Sequence, residues 1–137
     1  MYQASSSGSN YVVKFNGIQH IRLKNLTIGA QGSSYSTAIA LTNGASNIEL
    51  RGNTISGPST SSSSDNHSLI YGYNTHSSGL VITENIFTNG SKAISLTGAS
   101  NNHADGISIT QNTINTGSHG IYLRYVNDAR IENNTVS

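Results

Sequence analysis

One short pattern returns five times in this chain. It reads IRLKNLTI from Ile21, IELRGNTI from Ile48, LVITENIF from Leu80, ISITQNTI from Ile107 and ARIENNTV from Ala129. Successive copies start 27, 32, 27 and 22 residues apart. A second set lies between them: VKFN from Val13, IALT from Ile39, IYGY from Ile70, ISLT from Ile94 and IYLR from Ile121. Each stretch alternates apolar and polar residues, the period of a strand with one face turned inward. A helix needs apolar residues three and four apart, and ISITQNTI does not supply them. One unit is too small to bury its own apolar face, so units must stack on one another. The repeat therefore predicts an all-β coil of about five turns, with short parallel strands forming sheets along its length.

Aligning the copies produces columns. Asn53, Asn85, Asn112 and Asn134 fall at one position, with Leu26 there in the first turn. Stacked strands are about 4.8 Å apart, a spacing at which amides can donate to and accept from one another, so the column predicts a structural asparagine ladder. Thr27, Thr54, Thr113 and Thr135 stand beside it, interrupted by Ile86. The next column, Ile28, Ile55, Phe87, Ile114 and Val136, is expected to fill the interior.

The totals narrow the function. A length of 137 residues suits a single domain, here the whole chain 1–137, with 1–10 expected to be a flexible or incomplete first turn. Formal net charge is +1 and Lys24 beside Arg51 makes no basic stripe, so nucleic acid is not an expected partner. There is no cysteine, hence no disulfide and no thiolate metal site. No apolar run approaches the roughly 20 residues that span a bilayer, and MYQASSSGSN has neither the basic start nor the apolar middle of a signal peptide. The chain reads as part of something longer. Uncapped strand edges at both ends of a coil predict end-to-end self-association.

The stretches SNIELRGNTISG and HGIYLRYVNDARIENNTV resemble the repeats of right-handed parallel β-helix proteins, the pectin-lyase-like superfamily. NYVVKFNGIQHIRLKNLTIGA also resembles repeats of large secreted bacterial surface proteins. The resemblance runs from Tyr11 to Val136 and implies a right-handed parallel β-helix, secreted or on the cell surface. It does not choose among lyases, hydrolases, epimerases, adhesins and plain stalks, because function lives in sites rather than folds. SHGIYL around His119 resembles the Gly-His-Gly of polygalacturonases, but the Asn-Thr-Asp, the Asp-Asp pair and the Arg-Ile-Lys of those enzymes are missing. The expected function is thus a non-catalytic stalk, adhesin or carbohydrate-binding surface. The alternative is part of a polysaccharide lyase, glycoside hydrolase or epimerase acting on a uronate polymer.

Candidate residues come from the strand pattern. The outward columns of the second set hold Tyr71, Tyr73 and Tyr122 with Arg124. Aromatic faces stack on sugar rings and a guanidinium grips a carboxylate in two bonds, so these four form the expected carbohydrate-binding patch. Acid–base chemistry on a uronate would draw on His119, His67, Asp65 and Lys92 at one corner. A hard cation such as Ca²⁺, or Zn²⁺, would draw on His103, Asp105 and Asp128 at the other, beside His76, although neither a metal nor a cofactor is required. The serine run STSSSS at 59–64 is read as a mobile, low-complexity excursion.

Overall fold

The computed structural model describes residues 2–3 and 7–137, with side chains from position 8 onward. Of the segment 1–10 expected to be flexible or incomplete, residues 1 and 4–6 lie outside the described residues. The chain winds as a right-handed parallel β-helix of about five turns, and every pairing between its strands is parallel. Three long sheets run along it. The first holds Val13–Asn16, Ile39–Thr42, Ile70–Tyr73, Lys92–Thr97 and His119–Arg124. The second holds Arg22–Lys24, Glu49–Arg51, Val81–Thr83, Ser108–Thr110 and Arg130–Glu132. The third holds Tyr2–Gln3, Thr27–Gln31, Thr54–Ser56, Ile86–Thr88, Thr113–Asn115 and Thr135–Val136.

The register matches the sequence columns. Ile28, Ile55, Phe87, Ile114 and Val136 pair in succession, as do Val13, Ile39, Ile70, Ile94 and Ile121. The interior is a file of aliphatic side chains with Phe87 in its middle, fully buried. At roughly 25 cal/mol per Å² of apolar surface removed from water, such a file is the main stabilising term.

Between the second and third sheets the chain turns through one residue in the left-handed region. Asn25, Gly52, Glu84, Gln111 and Asn133 all take φ between 55° and 64° there. The next residue carries the asparagine column inward. Asn53 Nδ2 donates to Asn85 Oδ1 (3.0 Å), Asn85 Nδ2 to Asn112 Oδ1 (3.1 Å), and Asn112 Nδ2 to Asn134 Oδ1 (2.9 Å). Each Oδ1 also accepts a backbone N–H from the turn before, and each Nδ2 also reaches a strand carbonyl, such as Leu50 O for Asn85. Buried polar groups must be bonded, and the ladder satisfies those of a corner where the backbone leaves one sheet for the next.

Candidate functional site

The outer face of the first sheet departs from the repeat. Lys14, Ala40, Tyr71, Ser95 and Tyr122 form one column across it. Tyr73, Thr97 and Arg124 form a second over the last three turns. Segment 57–68 leaves the coil after Thr54–Ser56 and lies against this face. The serine run, read from the sequence as a low-complexity excursion, follows a hydrogen-bonded course. Thr60 Oγ1, Ser62 Oγ and Ser64 Oγ accept from the N–H two residues on, at 3.1, 3.1 and 3.2 Å. Alternating hydroxyls thus replace a sheet ladder, a habit of serine and threonine in turns. Gly90 N–H donates to Pro58 O and Ser91 Oγ to Ser64 O, which anchor the segment to the next turn.

The segment ends in a short 3-10 turn, Asp65–His67, and this places Asp65 over the sheet. Asp65 Oδ1 accepts from Lys92 Nζ at 2.6 Å and from Ser95 Oγ at 2.9 Å. Lys92 is buried, and its ammonium sits 5.0 Å from the centre of the Tyr122 ring. A buried ammonium requires a partner, and Asp65 supplies it. The Tyr71 phenol is pushed above its ordinary range, first by burial and then by the charge of Asp65.

Beside them lies a groove of about 310 Å³, bounded by Ser63, Asp65, Tyr73, Lys92, Thr97, His119, Tyr122 and Arg124. Its size is that of a small-ligand site. Tyr73 is largely exposed, and the His119 ring meets Tyr122 edge-on at 6.4 Å. Ser118 Oγ lies 2.6 Å from His119 Nδ1. Arg124 donates to the Tyr125 hydroxyl at 2.9 Å and lies 4.7 Å from that ring's centre. The hydrogen bond to Tyr125 holds its guanidinium above an already high range.

Two sets of residues that the sequence keeps apart therefore share one groove. Asp65, Lys92 and His119 are the acid–base candidates, and Tyr73, Tyr122 and Arg124 the sugar-contact candidates. Tyr71 lies in the same outward column but does not line the groove. His67 points elsewhere: it is buried, and its Nδ1 is 2.8 Å from Ser36 Oγ on the preceding turn. Ser63 and Thr97 complete the groove, and Ser95 lies buried behind it against Asp65. Their only sequence signal is position, since serine and threonine are common throughout the chain.

The opposite corner assembles less. His103 stacks on Tyr125 with ring centres 5.7 Å apart, and its Nδ1 lies 3.1 Å from Asn127 Oδ1. His76 Nδ1 is 3.4 Å from Asn102 O. Asp105 and Asp128 are exposed. Among the described residues, no three His, Cys, Asp or Glu side chains come together in a way that could hold a metal ion.

Stacked parallel sheets closed around one apolar file define the class as a parallel β-helix. Within that class the chain belongs to the family described as "Periplasmic copper-binding protein (NosD)", whose model matches residues 3–137. The family is periplasmic, and this agrees with the secreted or surface location expected from the repeats. No helix among the described residues is long and apolar enough to cross a membrane. No curated protein and no solved structure matches the chain.

Proposed function

We propose that the chain is a non-catalytic β-helix segment of a protein outside the cytoplasm, and that the groove on its first sheet binds a glycan, as a carbohydrate-binding surface or adhesin would. The observation that carries this reading is the convergence of Tyr73 and Tyr122 with Arg124, Asp65 and Lys92 on one 310 Å³ groove. Two exposed aromatic faces beside a few fixed polar groups are what a sugar ring requires. The likeness of the repeats to the pectin-lyase-like superfamily supports the same ligand class. The test is binding of immobilised polysaccharides by wild type, Tyr73→Ala and Tyr122→Ala. Each variant is expected to lose binding about tenfold while its unfolding midpoint stays close to wild type, because both rings are exposed. Unchanged binding in both variants overturns the reading.

His119 and Lys92 in the same groove favour a second reading, elimination on a uronate polymer. A base there would take the sugar's C5 proton while a cation neutralised its carboxylate. Hydrolysis is less well served. Inverting and retaining hydrolysis both use two carboxyl groups, and among the described residues Asp65 is the only one lining the groove. Formation of unsaturated uronate absorbance, lost in His119→Ala, would install this reading in place of the first.

The family's description raises copper binding as well. Copper prefers imidazole and thiolate or thioether ligands. This chain has no cysteine, and among its described residues no three His, Asp or Glu side chains come together. The donor set does not fit a built copper site, and the glycan reading does not depend on one.

A further inference from the structure

The ion pairs are unevenly distributed over the coil. Arg22 and Lys24 share Glu49, Arg51 pairs with Glu84, Arg130 with Glu132, and Lys92 with Asp65. Among the described residues this leaves two cations without a carboxylate partner, Lys14 and Arg124. Both lie on the outer face of the first sheet, at opposite ends, and each has its charge by a tyrosine ring. The acids without an ion pair, Asp105 and Asp128, lie at the far corner instead. Within the groove the negative charge of Asp65 is already taken up, by Lys92 at 2.6 Å and Ser95 at 2.9 Å. Arg124 lines the same groove with no acid against it.

We infer that the groove selects an anionic glycan, one whose sugars carry a carboxylate or sulfate, and that Arg124 is the residue that reads the anion. This inference rests on the glycan-binding reading above and names its ligand class. A neutral sugar would leave the guanidinium with tyrosine hydroxyls, chiefly that of Tyr125, and water. An anionic sugar would give it two charge-assisted hydrogen bonds, with the Tyr125 ring holding its plane. The Tyr73 face, about two rungs or roughly 10 Å along the coil from the Arg124 turn, is placed to stack on a neighbouring ring. Lys14, four turns from Arg124, extends the positive face along the axis, which suits a polymer more than a single sugar.

The experiment pairs charged and neutral polymers. Polygalacturonate is set against its fully methyl-esterified form, and dextran sulfate against dextran, at 50 and 300 mM NaCl. Wild type, Arg124→Gln and Tyr73→Ala are compared, with Arg22→Gln as an equal loss of charge on another face. The expected result is at least tenfold tighter binding to one charged member than to its neutral partner. Which pair shows it distinguishes carboxylate from sulfate. Arg124→Gln should abolish that preference, while Tyr73→Ala weakens charged and neutral members alike. Equal binding of both members by wild type overturns the inference but leaves the glycan reading standing. An equal loss of preference in Arg22→Gln, or its persistence in Arg124→Gln, overturns it too. Binding to none of the four polymers overturns both.

Discussion

The asparagine corner and the outer face of the first sheet are built from the same coil by opposite means. At the corner every turn contributes one residue in one conformation, and four amides bond in succession from Asn53 to Asn134. On the outer face nothing is shared between turns. One aspartate from a single insertion reaches a lysine 27 residues on and a serine 30 residues on. The corner gains its stability from repetition, and a site built that way would present identical groups to any ligand. Chemical distinction needs the positions where equivalence is broken. Here those are segment 57–68, two tyrosines, and a guanidinium with no acid beside it.

The sharpest way to break this contrast is to damage the ladder and measure the groove. Asn85→Ala removes four side-chain hydrogen bonds, two accepted from Asn53 and one donated to each of Leu50 O and Asn112 Oδ1. The Asn53 backbone N–H, whose acceptor was Asn85 Oδ1, is left buried without one. Stranding a buried donor costs about 1–3 kcal/mol, and the lost amide leaves a cavity as well, so a destabilisation of about 3 kcal/mol is expected from urea unfolding. If the two regions are independent, the folded fraction of this variant should bind glycan as wild type does. Lost affinity in protein shown to be folded would mean that the corner shapes the groove.

The contrast also marks how far the sequence could be read. The columns were legible because five copies vote on each position, so Phe87 falls in line with four aliphatic residues even though it is the only ring among them. Glu84 and Gln111 gave no hint of their left-handed backbone, since neither residue favours it. Only alignment with Gly52, Asn25 and Asn133 makes the turn intelligible. Segment 57–68 had one copy and no apolar period. Its course is set by hydroxyls that bond two residues ahead and by contacts with residues 90–95. For the same reason Asp65 and Lys92 could be placed near one corner but not joined to the tyrosines. His67, with an equally ordinary sequence context, became an interior residue bonded to Ser36.

A second substitution reverses the damage. A Cβ at Gly117 would stand 2.0 Å from the backbone oxygen of Thr60, so this glycine is the seat on which the serine segment rests. Gly117→Ala must push the segment away, with about 1–2 kcal/mol lost as for other overpacked contacts. Because Ser63 and Asp65 are carried on that segment, glycan affinity should fall several-fold. Amide exchange should quicken across 58–66 while the ladder stays protected. Quickening at Asn85 and Asn112 of the same size would show that the insertion and the coil open as one unit.

The smallest effect tests the link between them, through Tyr71. This phenol is raised above its ordinary 10.0 by burial first and by the Asp65 charge second, with Tyr73 adding less. A raised folded value means that the fold disfavours the phenolate. The resulting stability is whole below the ordinary tyrosine value and is lost as pH climbs from there through the higher folded one. Asp65→Asn removes the second cause and keeps most of the first. The Tyr71 titration should therefore move down toward the ordinary range without reaching it, and the alkaline loss of stability should shrink accordingly. Ultraviolet absorbance between pH 9 and 12, with Tyr71→Phe to assign the signal, reads the change directly. A Tyr71 titration indifferent to Asp65→Asn would mean that Asp65 does not lie over the sheet in solution. The outer face would then be as open and repetitive as the corner is closed, and the groove would lose the residue that neutralises Lys92.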